Sequence, residues 1–220
     1  IIDEDHTAIV IADVVGKGVP ASIFAMAAKT VIKMSALDGH SPMEVCAQTN
    51  RQLCENNNEM MFSTTWFGIY TISERKMVYA NAGHNDPLLM RAAEGRYEYL
   101  SDEPDMALGV MEGLPYTEHT VYLSPGDKMF LYTDGVVEAQ KPENERLGHA
   151  KKKAEQILGA ATDLKLDMVL YGDERLRASL NADVSRSGDA VLDTVLSDVR
   201  AFVGDEPQFD DITMLVFEIF

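Results

Sequence analysis

The stretch Ile9-Val10-Ile11-Ala12-Asp13-Val14-Val15-Gly16-Lys17-Gly18-Val19-Pro20-Ala21 compresses three elements into a short span. An apolar, β-branched run reads as a buried strand, a glycine-bracketed turn follows, and Pro20 suits the first turn of a helix. Asp13 stands where the strand ends. A carboxylate in that place costs desolvation energy unless hydrogen-bond donors or a cation compensate it. Two later stretches repeat the pattern: Leu131-Tyr132-Thr133-Asp134-Gly135 and Gln208-Phe209-Asp210-Asp211-Ile212-Thr213 set acids at the end or start of an apolar strand. Neighbouring strands can bring such acids to one rim of a sheet. Mg²⁺ and Mn²⁺ take hard oxygen ligands, and three carboxylates with a backbone carbonyl could hold two of them. A metal pair of that kind activates water and clamps the oxygens of an in-line phosphoryl displacement. A lone Asp before a Gly is most often a turn residue, so the reading rests on the three stretches together.

Outward from Asp13, Phe24, Ala27, Ala28, Val31 and Ile32 recur at helical spacing up to Gly39. Ser41-Pro42-Met43-Glu44 matches a capping box and predicts a second helix to about Asn56. Residues 62–72 and 77–80 read as an antiparallel hairpin turning at Arg75, and 87–91 with 97–100 as two short strands around Glu94-Gly95. Residues 101–116 are loop-like. Strands are expected at 119–123 and 128–133, joined by the tight turn Ser124-Pro125-Gly126-Asp127. The remainder reads as helices at 150–158, 173–180 and 190–203 separated by linkers, then a closing strand over 212–220. Val191, Leu192, Val195, Val199, Phe202 and Val203 share one face of the last helix. Strands joined by hairpins rather than helical crossovers favour an antiparallel α+β architecture.

With 220 residues, 46% of them apolar, the chain can bury the core of one domain. Its formal charge of −17 repels nucleic acid and anionic membrane surfaces, but leaves a phosphorylated substrate open where divalent cations invert the local field. Cys46 and Cys54 lack the spacing of a redox motif or a secreted disulfide scaffold, and reduced thiols in a cytoplasmic protein are expected. No apolar run approaches a membrane-spanning length. The chain opens at Ile1 in an acidic turn and reads as a fragment of something longer. Around Met26 and Met34 the first helix is read as core or as a partner-facing surface.

Ala12-Asp13-Val14-Val15-Gly16-Lys17-Gly18-Val19-Pro20-Ala21 resembles the motif of the bacterial sporulation and stress-response serine phosphatases of the PP2C type. Phe62-Ser63-Thr64-Thr65-Trp66-Phe67-Gly68 is similar to the family's central strand, and Tyr79-Ala80-Asn81-Ala82-Gly83-His84-Asn85 to its Gly-His-Asn turn. Leu123 to Asp127, Tyr132 to Ala139 and Gln208 to Thr213 follow in family order. The resemblance implies an α-β-β-α sandwich of two antiparallel sheets flanked by helices. It also implies hydrolysis of phosphoserine or phosphothreonine in a protein by a water activated by two Mn²⁺ or Mg²⁺ ions. Asp13 would bridge both metals, the Val14 carbonyl would bind one, and Asp134 and Asp210 would complete the second site, with Asp211 the substitute if the register of the Asp pair is shifted. Gly16 and Gly18 would let the turn approach the metals. Lys17 could meet a phosphate, although a solvated turn lysine is the simpler reading, and His84 with Asn85 could order the loop or serve the leaving oxygen.

Two departures from the family pattern stand out. Family members usually carry an upstream strand pair with a Gly-Asp-x-x-Asp motif, which Ile1 begins too late to include. Low metal occupancy, or an open sheet edge that pairs with a second copy into a homodimer, is therefore expected. Arg146-Leu147-Gly148-His149 and Leu170-Tyr171-Gly172-Asp173-Glu174-Arg175-Leu176 both suit the family's next short helix, so a helical insertion is expected at about 146–169. Lys151, Lys152 and Lys153 form a basic cluster there, open to an acidic partner or simply a solvated face. The resemblance implies a small anti-anti-sigma-like regulator as the phosphorylated substrate, and an upstream sensory region that could also anchor the protein to a membrane. A PP2C-fold domain that docks a phosphoprotein without productive metal binding is the alternative.

Overall fold

The structure, a computed structural model, describes residues 1–55, 57–158 and 167–220. In chain order its elements begin with β1 (His6–Val14), α1 (Val19–Leu37), α2 (Pro42–Cys54), β2 (Ser63–Thr71) and β3 (Lys76–Ala82). They continue with β4 (Leu88–Arg91), β5 (Arg96–Tyr99), β6 (His119–Tyr122), β7 (Lys128–Tyr132), β8 (Gln140–Pro142), α3 (Glu145–Leu158), β9 (Met168–Leu170), α4 (Gly172–Asn181), α5 (Gly188–Val203) and β10 (Met214–Glu218). These fall into two compact units: Ile1–Thr133 with Phe217–Phe220, and Asp134–Val216.

The first unit is built on antiparallel sheets, as the hairpin spacing predicted. One has the order β1-β2-β3-β6, and the other β10-β7-β4-β5, to which β10 contributes the residues from Phe217 on within this unit. β1 pairs with β2 along its whole length, from His6 opposite Thr71 to Val14 opposite Ser63. Period-2 alternation gives β2 two apolar faces. Phe67 joins Ala80, Ala82, Val45, Cys46, Ala28 and Ile32 in the layer between the sheet and helices α1 and α2. Trp66 and Tyr70 occupy the opposite face, where Trp66 stacks on Tyr79 with ring centroids 5.2 Å apart and Tyr70 meets the edge of Phe217. Gly68 is required by this packing, since a methyl group there would lie 2.7 Å from Trp66 Cη2 and 2.8 Å from Met77 Sδ.

The capping box forms: the Ser41 hydroxyl accepts from the Glu44 N–H, and the Glu44 carboxylate accepts from the Ser41 N–H at 2.9 Å. The turn Ser124 to Asp127 does more than reverse the chain. The Asp127 carboxylate, almost fully buried, accepts from the N–H groups of Ala92 at 2.8 Å and Ser124 at 2.9 Å and from the Arg91 guanidinium at 3.0 Å. Gly126 donates its N–H to the Ile219 carbonyl at 2.7 Å, and Ile219 donates to the Asp127 carbonyl at 3.0 Å. Cys46 and Cys54 are both free, and burial pushes the Cys46 thiol up to about 12.

In the second unit α5 matches expectation, with Ser187 capping it through the Ala190 N–H and Val191, Val195 and Val199 buried. The segment read as helix and linker holds more strand than expected, because β8 and β9 pair antiparallel over three residues each. Strands that short carry no alternation to read. Within Leu170 to Leu176 the buried residues are Tyr171 and Leu176: Tyr171 and the Arg175 and Lys141 cations surround the Phe202 ring, and Leu176 opens the buried face of α4. Lys152 bonds the Glu206 carboxylate at 3.1 Å and Lys151 faces Glu155, while Lys153 stays exposed. The middle of the insertion expected at about 146–169 lies outside the described residues. No helix among the described residues is long and apolar enough to cross a membrane.

Candidate active site

In the first unit the β1 ladder positions Asp13, the penultimate residue of that strand, opposite Thr64 of β2. The Thr64 hydroxyl is in turn 3.0 Å from His84 Nδ1. His84 lies in the turn after β3 and is held from both sides: it donates its backbone N–H to the Asn81 side-chain oxygen at 2.8 Å, and Asn81 Nδ2 donates to the His84 carbonyl at 3.0 Å. Burial pushes the His84 imidazole down to about 4, with the backbone of Tyr132 opposing the shift. The ring is therefore neutral near pH 7, and is not a ready source of the proton a leaving serine oxygen needs. Asn85 follows in the same turn, part-buried.

Beyond Val14 the Val15 N–H bonds the Phe62 carbonyl at 3.0 Å and ends the pairing. Gly16 at φ +122° and Gly18 at φ +81° then turn the chain through conformations that side chains rarely adopt, with the exposed Lys17 between them. Gly18 caps α1 without a side-chain bond, and no acidic residue occupies the first turn. The free N–H groups of that end favour anions.

In the second unit Asp134 opens a single helical turn closed by the Glu138 N–H on the Asp134 carbonyl at 2.8 Å. That turn brings Glu138 back toward Asp134. Burial first, then the charges of Asp134 and Asp210, hold the Glu138 carboxyl above its usual range. Asp134 and Asp210 are brought together by Gly135. A side chain there would collide with the backbone of Asp211, its Cβ only 2.9 Å from the carbonyl carbon, so glycine alone permits the approach. Asp210 is part-buried and its Oδ1 accepts from the Asp211 N–H at 2.9 Å, whereas Asp211 is exposed. Gln208 Nε2 bonds the Asp210 carbonyl at 2.8 Å and steadies the loop.

Asp134 Oδ1 is buried and has no hydrogen-bond partner. An orphaned carboxylate oxygen beside two further carboxylates is chemically suited to a hard divalent cation, which supplies the missing partner and offsets the mutual repulsion. Among the described residues, however, no three His, Cys, Asp or Glu side chains are gathered at metal-holding distances. Glu138 is the acid that sequence reasoning passed over. Its spacing of four residues from Asp134 was the available signal.

The chain can be set beside known proteins. The family model for stage II sporulation protein E (SpoIIE) matches residues 3–169. Phosphoserine phosphatase RsbU of Bacillus subtilis is 29% identical over 138 residues, 63% of this chain and 41% of that protein. The SiaA-PP2C domain of Pseudomonas aeruginosa superposes with a TM-score of 0.76 at 19% identity, over 99% of this chain and 77% of that one. RsbX, solved in complex with magnesium, gives a TM-score of 0.61 at 15% identity, over 97% and 81%. The chain spans between 34 and 41% of the length of the curated relatives it matches. The fold is that of PP2C domains, and the family match over most of the sequence makes this chain a member of the SpoIIE family.

Proposed function

We propose that the chain is the catalytic domain of a metal-dependent protein serine/threonine phosphatase, hydrolysing phosphoserine or phosphothreonine on a small anti-anti-sigma-like regulator. The observation that carries this reading is the orphaned, buried oxygen of Asp134 set beside Asp210 and Glu138. Kinship with a phosphoserine phosphatase and the SpoIIE family supports the reaction class. A magnesium-bound structure of the same fold supports the choice of cation. Asp13, the Val14 carbonyl, Asp134 and Asp210 would hold two Mn²⁺ or Mg²⁺ ions, with Asp211 the substitute for Asp210. Such a pair supplies a lowered water pKa and charge compensation for the phosphate oxygens.

The protein's own residues do the rest. Gly135 sets the Asp134 to Asp210 approach, Asp210 Oδ1 is tied to the Asp211 N–H, and the β1 ladder holds Asp13. The uncapped start of α1, two glycines beyond Asp13, offers N–H groups to a phosphate, with Lys17 alongside. Thr64 and His84 form a hydrogen-bonded support next to Asp13. A full-length protein with an upstream sensory region, acting in the cytoplasm, fits this role.

The test is turnover of a phosphoserine protein and of p-nitrophenyl phosphate with Mn²⁺, with EDTA, and with Asp13→Asn. Loss of turnover in both EDTA and the variant, with the circular-dichroism melt preserved, is expected. Turnover indifferent to chelation and to the substitution would sink the metal mechanism. A folded protein that binds the phosphoprotein without turning it over in Mn²⁺ would favour the docking alternative.

A further inference from the structure

Within the second unit, helix α5 and the segment that returns from it line a cavity of about 330 Å³. Leu196, Val199, Arg200 and Val203 face it from α5. Their spacing is i, i+3, i+4 and i+7, so the arginine rises from the same stripe as the apolar wall. Gly204, at φ +63°, ends the helix and lets the chain turn back. Phe209, Ile212 and Met214 then supply further apolar lining, and Gly135 and Ala139 complete it. A volume of this size lies at the lower end of small-ligand pockets, in which apolar walls give affinity and a few polar groups give orientation.

The two charged groups of the lining are not alike. Glu206 is already paired, its carboxylate 3.1 Å from Lys152 Nζ. The Arg200 guanidinium has no hydrogen bond or ion pair among the described residues. One turn away on α5 stand Leu196, Ser197, Val203 and Gly204, none of them acidic. In a chain of charge −17, an unanswered cation at an apolar cavity selects a ligand with one anionic group and an aliphatic body. A nucleotide or sugar phosphate is a poor occupant, because its several charges would meet a single arginine.

We propose that this cavity binds a small aliphatic carboxylate of about eight carbons, its chain against Val199, Val203, Ile212 and Met214 and its carboxylate on Arg200. The lining also reaches the candidate acids, for Gly135 follows Asp134 and Phe209 precedes Asp210. A seated ligand therefore touches both arms of that pair and is placed to bias their approach. Its recognition does not rest on the phosphatase reading.

The experiment titrates sodium octanoate into the isotope-labelled 220-residue chain and follows backbone amide shifts by NMR. Octylamine and octanol, with the opposite charge or none on the same chain, are the comparators. Saturable one-to-one binding of octanoate is expected, with the largest shifts at Gly135, Leu196, Val203 and Phe209 and both comparators weaker by about fivefold or more. Arg200→Gln should weaken octanoate about fivefold without changing octanol, and Arg200→Lys should recover much of the loss. Arg200 is exposed, so circular-dichroism melts of both variants should match the parent. Val203→Phe, which crowds the cavity from a part-buried position, should weaken octanoate and octanol alike; if it melts early, Arg200→Gln decides. Shifts that do not saturate or that centre outside the lining, equal affinity for octylamine, or indifference to Arg200→Gln would overturn the proposal.

Discussion

Asp13 and the pair Asp134 and Asp210 are held in opposite ways. Asp13 sits in a long strand whose pairing with β2 is repeated residue after residue, so its position is over-determined by hydrogen bonds. Asp134 and Asp210 sit in turns, brought together because one residue, Gly135, has no side chain. A ladder spreads the cost of any single change over many bonds, whereas a close approach of two backbones concentrates it at one atom. The difference teaches that the candidate acids of the two units need not share one level of robustness.

The comparison is sharpened most by removing the acids themselves. Asp134→Asn and Asp210→Asn should each lower turnover on the order of 10³-fold, the scale of losing a group that answers charge developing in the transition state. Asp211→Asn should stay within about tenfold. An equal loss at Asp211 would show that the register of the Asp pair is shifted. Steady-state kinetics at saturating Mn²⁺ measures all three.

Next in size is Asp127→Ala, which leaves Arg91 and two backbone N–H groups without their acceptor and should cost about 3 kcal/mol in urea unfolding. Gly135→Ala should cost about 2 kcal/mol through backbone displacement at Asp211, and should reduce turnover while leaving the β1 ladder protected in hydrogen exchange. If exchange at β1 rises as well, the two regions are not independently held and the contrast fails.

A last effect, absent at neutral pH, is one of pH. His84 is held down at about 4 in the fold against 6.5 ordinarily, so the unfolded chain takes up the proton first as pH falls. Its contribution to stability is complete above about pH 6.5 and is lost progressively toward pH 4. A melting temperature that declines across that window, and declines less in His84→Gln, is the expected result.

Much of this was legible beforehand, and the reasons are local. The strand over β1, the capping box at Ser41 and the valine face of α5 each write their structure into a short window. The acids at strand ends were visible because apolar runs deliver them. Other features had no local trace. Gly135 reads as an ordinary turn glycine until Asp211 is seen beside it, and β8 and β9 are too short to show a period. Glu138 was masked by the surrounding motif. On α1 the sequence shows Met26 and Met34 but not which side of the helix the core covers, and both prove exposed.

The exchange between Gly126, Asp127 and Ile219 has a consequence for biogenesis. The whole of Asp134–Val216 is threaded between the turn at 126 and the segment that closes on it. During synthesis the first unit emerges early yet lacks one of its strands until residues 217–219 have cleared the ribosome. Until then the apolar edge of β7 stays open, and a long loop must close before the sheet is complete. Completion of this sheet therefore waits for residues 217–219, however early the rest of the first unit has been made.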